Sequence, residues 1–343
     1  LKLWYWLLAR GHSGIEFTGG VVHQPQSAAP SGFTPANVSG LKLWLDANDV
    51  DGDGQADSIA NDSNVTVWTD KAGGDHNATQ SNALNKPTYK TNSLNGKSVV
   101  NFDGSQVLNV DLTYLASTDY TVIVVEGRRS TKSTNYFFGS LADGTNRRPH
   151  FGYRTNGTYT MAQASNDLNW GGVGNYVDQV FRIWTNLFDD NSGHFIYLGG
   201  QLVASNANST GFTSVQQGAI GRSASNYYVG DIADVLVWDE ALSNANRDNV
   251  GKYLSDKWGI AYTGTPYALS SSTTDLGRAY LLDLMNLREA TADEVTRAKE
   301  GATSGTTNQF TPTFKVGPGE RPVKVNEYGF DTGATSGFWV VPK

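Results

Sequence analysis

The sequence of 343 residues contains no cysteine, only two methionines and few charged residues, which make up 17% of the chain. The absence of cysteine excludes a disulfide framework. Exported eukaryotic β-domains often carry disulfides, so the absence of cysteine favours a prokaryotic or viral source. Long apolar runs are also missing: the apolar opening at residues 3–9 covers seven residues, whereas a transmembrane helix needs about 20. We therefore expect no membrane span.

Positive charge is scarce as well. The chain has 26 Lys and Arg against 33 Asp and Glu, which gives a net charge of −7. Clusters of basic residues are limited to Arg128–Arg129 and Arg147–Arg148, both in polar turns. Because no basic stripe is present to displace counterions from phosphates, nucleic acid is excluded as an expected partner.

Glycine and aromatic residues are abundant instead, with 38 Gly and 11% Phe, Trp and Tyr. Short β-branched and aromatic runs separated by polar turns predict an all-β fold, a two-sheet antiparallel sandwich. The predicted strands are Leu41–Leu45, Val65–Trp68, Ser98–Phe102, Tyr120–Gly127, Tyr136–Ser140, Val180–Phe188, His194–Leu198, Gln201–Ala204 and Ile232–Trp238. Asp189–Gly193 and Gly199–Gly200 are typical of hairpin connections. Apolar residues four apart predict a helix over Asn244–Trp258.

Changes in amino-acid composition and hydrophobic pattern divide the chain into three parts. Residues 1–37 are expected to form an N-terminal arm or anchor, because an apolar start is followed by a Gly/Ser/Pro-rich stretch. Residues 38–262 form the β-rich domain. Residues 263–343 are expected to be a small C-terminal docking domain of helices and strands. Its helices are predicted over 276–287 and, after a capping box, over 291–300.

The most specific pattern is the acidic segment Asp49–Asp57, which reads DVDGDGQAD. Carboxylates at alternate positions, with a glycine at the sixth, let a loop wrap its oxygens around one hard cation, as in the first half of an EF-hand-type calcium loop. The twelfth position, where a bidentate Glu closes such a shell, is Ala60. The predicted calcium ligands are Asp49, Asp51, Asp53, Gln55 through its backbone carbonyl, Asp57 and Asp62.

Two interpretations of this segment stay open. A solvated turn also favours Asp and Gly. Calcium is the better explanation because residues 46–75 hold eight Asp against one Lys, Lys71, and such like charge repels itself unless a cation or water relieves it. A bound calcium ion would stabilise the loop and the sheet that it joins, and would not be a catalyst.

Four stretches of the β-rich domain match one pattern together. SGLKLWLD opens it at residues 39–46, VWTDKAGGDHNATQ follows at 67–80 with NGKSVVNFDG at 95–104, and GDIADVLVWDEALS closes it at 230–243. The chain thereby resembles the laminin-G-like, concanavalin A-like jelly rolls common in secreted bacterial and phage proteins. The resemblance is specific for fold and weak for function, because such folds host lectins, adhesion modules, hydrolases and structural domains.

The resemblance implies two curved antiparallel sheets, with any glycan bound on the concave face or at the rim loops. Sugar recognition needs aromatic faces and planar polar groups. The candidate ligand-binding residues are Trp170, Tyr176, Arg222, Asn226 and Tyr227. For each aromatic candidate, a place in the core is the alternative. The tryptophans expected in the core are Trp44, Trp68, Trp184 and Trp238.

Catalysis is not expected. Hydrolases on this fold carry a Glu-x-Asp-x-Glu type strand with two carboxylates about 5 Å apart. That motif is absent, and the two glutamates of the β-rich domain, Glu126 and Glu240, each stand alone at a predicted strand end. Asp231 and Asp234 are three apart and would face opposite sides of a strand. The five histidines lack zinc-ligand spacing. A glycoside hydrolase built on an Asp pair is the catalytic alternative.

The sequence therefore predicts a non-catalytic, calcium-stabilised carbohydrate-binding or adhesion protein. We expect it to be extracellular, on a cell or virion surface, and to bind a glycan or cell-surface polysaccharide. A structural virion or cell-surface subunit without ligand is the alternative. Residues 1–37 and 263–343 are expected to contact other subunits of an assembly. Trp4, Tyr5 and Trp6 are placed in that interface, where aromatic residues are enriched.

Overall fold

The computed structural model describes the β-rich domain almost completely. The residues that it describes are 16–18, 21–23, 29–154, 157–173, 180–264, 287–289, 323–325 and 338–342. The chain divides into two compact units, one of Pro25–Pro266 and one that joins Leu1–Gln24 with Tyr267–Lys343. The first unit contains the predicted β-rich domain.

Two packed antiparallel sheets form the first unit. Its strands in chain order are β3 (Leu41–Asp46), β4 (Val67–Trp68), β5 (Ala78–Thr79), β6 (Thr88–Leu94), β7 (Lys97–Asp103), β8 (Leu108–Val110), β9 (Tyr120–Arg128), β10 (Thr134–Ser140), β11 (His150–Arg154), β12 (Thr158–Met161), β13 (Leu168–Trp170), β14 (Arg182–Asp189), β15 (Gly193–Leu198), β16 (Gln201–Asn206), β17 (Gly218–Ile220), β18 (Arg222–Ser223), β19 (Asn226–Tyr227) and β20 (Val229–Trp238). Short 3-10 helices lie at Pro35–Asn37, Ala83–Asn85, Thr113–Leu115 and Gly171–Val173.

Sheet 1 has the strand order β13-β12-β11-β10-β17-β8-β5-β4. Sheet 2 has the order β16-β15-β14-β9-β20-β7-β6, and β3 also belongs to it. The start of β20 pairs with β7 and its end pairs with β3. Strands β18 and β19 form a separate hairpin. The all-β, two-sheet antiparallel sandwich is therefore confirmed.

The core lies between the two sheets and is rich in aromatic side chains. Tyr159 of β12 stacks on Trp184 of β14 at a centroid distance of 3.8 Å, so rings from opposite sheets meet face to face. Such pairs contribute about 0.5–1.5 kcal/mol beyond the burial of their area. The tryptophans predicted to be core are all buried: Trp44, Trp68, Trp184 and Trp238.

All nine predicted strands are present, with shifts of a few residues at their ends. The connections at Asp189–Gly193 and Gly199–Gly200 are the hairpins between β14 and β15 and between β15 and β16. Strands that the sequence analysis did not predict are β5, β6, β8, β11, β12, β13, β17, β18 and β19. These additional strands build most of sheet 1.

Helix α1 spans Asn244–Trp258, as predicted. The hydroxyl of Ser243 accepts a hydrogen bond from the backbone N–H of Asn246 and caps the N-terminus. Gly259 ends the helix at φ 64°, a left-handed conformation that suits glycine. Val250, Leu254 and Trp258 are buried on one face of the helix. No helix among the described residues is long and apolar enough to cross a bilayer.

The described parts of the second unit are short strands. Strands β1 (Glu16–Thr18) and β2 (Val21–His23) form a hairpin within the segment expected to be an extended arm. Strands β21 (Leu287–Glu289), β22 (Val323–Val325) and β23 (Phe338–Pro342) form a sheet in the order β21-β23-β22. Leu287 starts a strand, so its prediction as the last residue of a helix was wrong. The rest of the helices predicted at 276–287 and 291–300 lies outside the described residues.

Candidate functional site

A pocket of about 330 Å³ opens on the outer face of sheet 1. Its floor is formed by β10 and β11, and the β18–β19 hairpin forms a wall. Its polar lining comes from Ser133, Thr134, Arg148, His150, Arg154, Ser223 and Asn226. The ring of Tyr136 adds an aromatic surface. The pocket therefore combines polar side chains with an aromatic surface, and a polar ring-shaped ligand would contact both kinds of group.

Strand β11 determines which way the pocket faces. Phe151 and Tyr153 belong to the core between the sheets. Because side chains alternate along a strand, His150 and Arg154 point to the outer face. Tyr136 of β10 lies on the same face, since its ring packs edge-on against His150 at a centroid distance of 5.3 Å. Buried aromatic residues thus support the pocket from behind.

His150 and Arg154 hold each other in place. Nδ1 of His150 donates to the backbone carbonyl of Arg148 at 3.0 Å, because a carbonyl oxygen can only accept. Nε2 of His150 is then free of a proton and accepts from Nη2 of Arg154 at 2.7 Å. The same nitrogen of Arg154 donates to Asp167 at 2.6 Å, and Nη1 donates to Asn169 at 3.3 Å. The guanidinium of Arg154 is therefore fixed in the pocket wall.

The pKa of His150 is lowered to about 4, chiefly by burial and to a smaller extent by the positive charges of Arg154 and Arg148. The hydrogen bond to the Arg148 carbonyl and the charge of Asp167 act in the opposite direction. Burial is the larger effect, since the imidazole is only 6% exposed. At neutral pH the ring is uncharged, so the positive charge of the pocket comes from its arginines.

The β18–β19 hairpin is joined to both pocket strands. Oγ of Ser223 donates to the carbonyl of Pro149 at 3.0 Å. Oγ1 of Thr134 donates to Oδ1 of Asn226 at 2.8 Å. The amide of Asn226, one of the predicted ligand-binding residues, is thereby held at the edge of the pocket.

Two other predicted residues support the hairpin. The guanidinium of Arg222 lies 4.5 Å from the ring centroid of Tyr227, and its Nη1 donates to the Tyr227 hydroxyl at 2.8 Å. The carbonyl of Tyr227 accepts from Nζ of Lys132 at 3.2 Å. Neither Arg222 nor Tyr227 is among the described residues that line the pocket. They shape the wall that carries Asn226.

The remaining predicted contact residues lie elsewhere. Trp170 ends the edge strand β13, and its half-buried ring packs 6.0 Å from Trp184 of the core. The predicted ligand residue Tyr176 and the predicted interface residues Trp4, Tyr5 and Trp6 lie outside the described residues.

The acidic loop brings three of its predicted ligands together. Ligand oxygens of Asp49, Asp51 and Asp53 lie within 4.8 Å of one another. Oδ1 of Asp49 is buried and has no hydrogen-bond partner, while Oδ2 accepts from the backbone of Gly54 at 3.0 Å. Gly54 has φ 89°, a conformation that favours glycine and allows the sharp turn required at the sixth position of such a loop. An unsatisfied buried carboxylate oxygen beside two more carboxylates fits a hard cation.

Lys71 supplies the positive charge nearest to this cluster. Its Nζ pairs with Asp49 and, at 3.1 Å, with Asp46. Desolvation lowers the pKa of Lys71, but the two carboxylates outweigh it and the pKa is raised. One ammonium does not balance the loop, so the three clustered carboxylates keep an excess of negative charge.

The outer members of the predicted ligand set are engaged differently. Asp57 accepts from the backbone N–H of Val50 at 2.5 Å. Burial raises its pKa, and the charges of Asp51, Asp49 and Asp53 raise it further.

Asp62 pairs with Lys90 and is not part of the three-carboxylate group. The exposed residue Gln55 uses its N–H to donate to Oδ1 of Asp53 at 2.7 Å.

A second acidic group was not predicted. Ligand oxygens of Asp119, Asp189 and Asp190 lie within 4.8 Å of one another at the β14–β15 turn. The backbone N–H of Asp190 donates to Asp119 at 2.8 Å, and Asp189 accepts from the N–H groups of Asn191 and Ser192. These carboxylates order the turn.

Glu126 lies two residues before the end of β9, close to the strand end where it was predicted. Its carboxylate is fully buried and accepts from the hydroxyls of Tyr153 and Tyr228 and, at 2.9 Å, from Nε1 of Trp184. Burial raises its pKa, although these hydrogen bonds act in the opposite direction. The group joins the two sheets and has no access to the pocket.

Asp234 is the centre of a buried charge network. Nζ of Lys257 lies 2.7 Å from Asp234 and 2.7 Å from Asp46. Nε1 of Trp44 and Nε1 of Trp258 also donate to Asp234. Burial raises the pKa of Asp234 to about 6, so the carboxylate is ionised at neutral pH and compensated by Lys257. The carboxylate is thus held by three donors within the core.

No family model matches the sequence, and no curated protein matches it. Among solved structures, the chain is similar to the botulinum neurotoxin serotype D binding domain, with 12% identity and a TM-score of 0.45 over 65% of this chain and 54% of that chain. It is similar to the Trypanosoma rangeli sialidase, with 13% identity and a TM-score of 0.41 over 68% and 36%.

A third similar structure is domain 4 of AbnA, a GH43 extracellular arabinanase from Geobacillus stearothermophilus, in complex with arabinotriose. It has 12% identity and a TM-score of 0.36 over 62% of this chain and 97% of that chain. The chain spans about half or less of the first two proteins. The TM-scores of all three structures are low, and the laminin-G-like, concanavalin A-like assignment stays a prediction.

Proposed function

We propose that this protein is a non-catalytic carbohydrate-binding protein whose ligand occupies the outer-face pocket. The observation that carries this proposal is the composition of the pocket lining. Tyr136 is largely buried and lines the cavity with part of its side chain. The amide of Asn226 and the hydroxyls of Ser133 and Thr134 offer hydrogen bonds. Saccharides present apolar C–H faces and rings of hydroxyl groups, which is the chemistry that such a lining recognises.

The rigidity of the pocket supports the proposal. Arg154 is held by His150, Asp167 and Asn169, and Asn226 is held by Thr134. Groups whose rotamers are already fixed lose little conformational entropy when a ligand binds. A ligand therefore meets donors and acceptors that are already oriented.

The absence of paired carboxylates in the pocket supports a non-catalytic role. None of the described residues that line it carries a carboxyl group, whereas glycoside hydrolysis of the usual kind needs two about 5 to 9.5 Å apart. His150 is engaged at both ring nitrogens by Arg148 and Arg154. Its imidazole is therefore not available as a general base in this arrangement.

We propose calcium as the ion of the acidic loop, with a structural role. Asp49, Asp51 and Asp53 would hold it, and the unpartnered Oδ1 of Asp49 would gain the partner that it lacks. A hard divalent cation prefers this all-oxygen ligand set, and water would complete the shell. Bound calcium would neutralise the loop beside β3 and stabilise the sheet.

The proposal includes a setting for the protein. We place it outside the cell, on a cell or virion surface, as an adhesion or decoration protein. Residues 1–37 and 263–343 would contact other subunits. A structural subunit without ligand is the alternative, and the resemblance of the β-rich domain to secreted bacterial and phage jelly rolls fits both.

Screening on a glycan array, followed by calorimetry with the best oligosaccharide, tests the proposed binding. We expect Asn226→Ala and Tyr136→Ala to weaken binding at least about tenfold, since each removes one of the few specific contacts. Leu84→Ala is the control, because Leu84 is 84% exposed and distant in sequence from every lining residue. Thermal unfolding of each variant verifies the fold. Glycan binding that both pocket variants retain would contradict the proposal.

A further inference from the structure

The pocket differs in charge from the rest of the protein. The chain carries a net charge of −7, yet two arginines and no carboxylate are among the described residues that line the pocket. Lys132 and Arg222 lie on the hairpin side, where both contact Tyr227. An acidic protein that concentrates cations around one cavity attracts negative ligands to that cavity.

The two arginines of the pocket are not equivalent. Arg154 is committed to Asp167, at 2.6 Å, and to its partners in the wall. Arg148 pairs through Nη1 with Asp143, whose side chain is 79% exposed. In the part of the chain that the structure describes, no other side chain accepts a hydrogen bond from Arg148. Exposed ion pairs are weak, so a ligand can replace Asp143 at low cost.

The backbone beneath Arg148 is nevertheless fixed. Its carbonyl accepts from His150, and the carbonyl of the next residue, Pro149, accepts from Ser223. The guanidinium therefore extends from a rigid base, with an exposed partner that is easily exchanged. A planar guanidinium matches a planar carboxylate through two parallel hydrogen bonds.

We infer that the pocket binds an acidic sugar, with the ligand carboxylate on Arg148 and the ligand hydroxyls on Asn226 and Ser133. This inference rests on the proposed carbohydrate-binding function and adds the substrate class. The ring of Tyr136 packs against the apolar face of the sugar. The size of the cavity, about 330 Å³, suits a single terminal or internal residue of a glycan and not a long stretch of polysaccharide.

Two families of acidic sugar carry this chemistry, the uronic acids and the nonulosonic acids such as sialic acid. Calorimetry with oligogalacturonate, oligoglucuronate and sialyllactose as separate probes distinguishes them. The matched neutral probes are the corresponding galactose and glucose oligomers and lactose. We expect at least one acidic probe to bind about tenfold or more tightly than its neutral counterpart. Its affinity falls as salt rises from 50 to about 300 mM.

The variants separate the role of Arg148 from general electrostatics. Arg148→Gln is expected to abolish the preference for the acidic probe and to leave the neutral probe within about twofold. Arg147→Gln is the matched control, since it removes the same charge from the neighbouring exposed residue, which is not among the lining residues. Arg148→Lys keeps the charge and removes the bidentate geometry, so an intermediate affinity is expected.

The possible results separate the acidic-sugar inference from the proposed carbohydrate binding. Equal affinity of acidic and neutral probes for the native protein, or an unchanged preference in a folded Arg148→Gln variant, overturns the acidic-sugar inference and leaves carbohydrate binding standing. Binding of no carbohydrate probe at all overturns the proposed function itself. If Arg148→Gln does not fold, Arg148→Lys and the native salt dependence decide the inference.

Discussion

Nη2 of Arg154 lies 2.7 Å from Nε2 of His150 and donates a hydrogen bond to it. This bond exists only while Nε2 carries no proton, so the neutral state of His150 and the orientation of Arg154 depend on each other. The charged side chains of Asp167 and Arg148 and the ring of Tyr136 also lie close to this pair. The wall of the pocket is therefore built on an uncharged imidazole.

Stability should fall in mildly acidic solution because of His150. Burial lowers its pKa to about 4, whereas an unfolded histidine titrates near pH 6.5, so the unfolded chain takes up the proton first. The contribution is fully present above about pH 6.5 and is lost as the pH falls towards 4. The predicted loss approaches about 3 kcal/mol. Urea unfolding at pH 7 and pH 4.5 should show a smaller acid loss in His150→Gln than in the native protein, and equal losses would contradict this assignment.

Lys257 should be essential for stability because it compensates two buried carboxylates. Lys257→Met leaves Asp234 and its neighbour Asp46 without this ammonium. Breaking a buried ion pair by removing one partner costs about 3–5 kcal/mol. The defect should be smaller at pH 5, since the pKa of Asp234 is already raised to about 6 by burial and the variant can bind a proton there.

A surface pair provides the control for that measurement. Nζ of Lys42 lies 3.0 Å from Asp239, but both side chains are about one-third exposed. Lys42→Met should therefore cost less than about 1 kcal/mol. Chemical unfolding of both variants compares them directly, and similar costs for Lys42→Met and Lys257→Met would contradict the buried network.

Calcium should stabilise the protein through the first acidic loop. We expect calcium at a hundredfold excess over its Kd to add about 2.7 kcal/mol to the free energy of unfolding. An Asp51→Ala/Asp53→Ala double variant should lose this effect. Asp190→Asn in the second acidic group is the control and should keep it. A thermal shift that survives the double variant but not the control would move the metal site to the β14–β15 turn.

Lys71 should compete with calcium for Asp49. Its ammonium pairs with Asp49 and Asp46, so Lys71→Met removes a competing cation. We predict a lower stability without calcium and a calcium affinity about tenfold higher, which corresponds to about 1.4 kcal/mol. Lys90→Met, which frees Asp62 in the same way, should leave the affinity unchanged unless Asp62 is a ligand. Weaker calcium binding by Lys71→Met would contradict this competition.

Much of the fold could be predicted because sheet 2 has long strands of strong β-formers. Strand β9 (Tyr120–Arg128) is fully buried and reads YTVIVVEGR, and β20 and β14 are similar. Helix α1 was predicted to the residue from apolar residues four apart, and the structure shows Ser243 and Gly259 capping its two ends. Sheet 1 was mostly missed, since its strands are short and contain glycines at sites of close backbone approach. At Gly152, for example, an added Cβ would lie 2.4 Å from the carbonyl oxygen of Asn135.

The pocket could not be predicted from the sequence for the same reason, because one of its strands was missed. Strand β11 reads HFGYR, and Gly152 interrupts the pattern that would have identified it as a strand. Without that strand, His150 and Arg154 could not be placed on one outer face beside Tyr136. Asn226 could be chosen as a candidate from the sequence because it is a planar polar residue directly beside two tyrosines, and such a neighbourhood is visible without knowing the fold. The acidic loop was predictable because all three clustered carboxylates lie within five residues.

The most direct test of carbohydrate binding in the outer-face pocket is amide chemical-shift mapping with the best-bound oligosaccharide. We predict that the largest perturbations fall at residues 133–136, 148–154 and 222–226. Residues 49–57 of the acidic loop should be little affected, since calcium there is structural. Perturbations centred on another surface, or none at a saturating concentration of every tested glycan, would contradict the account.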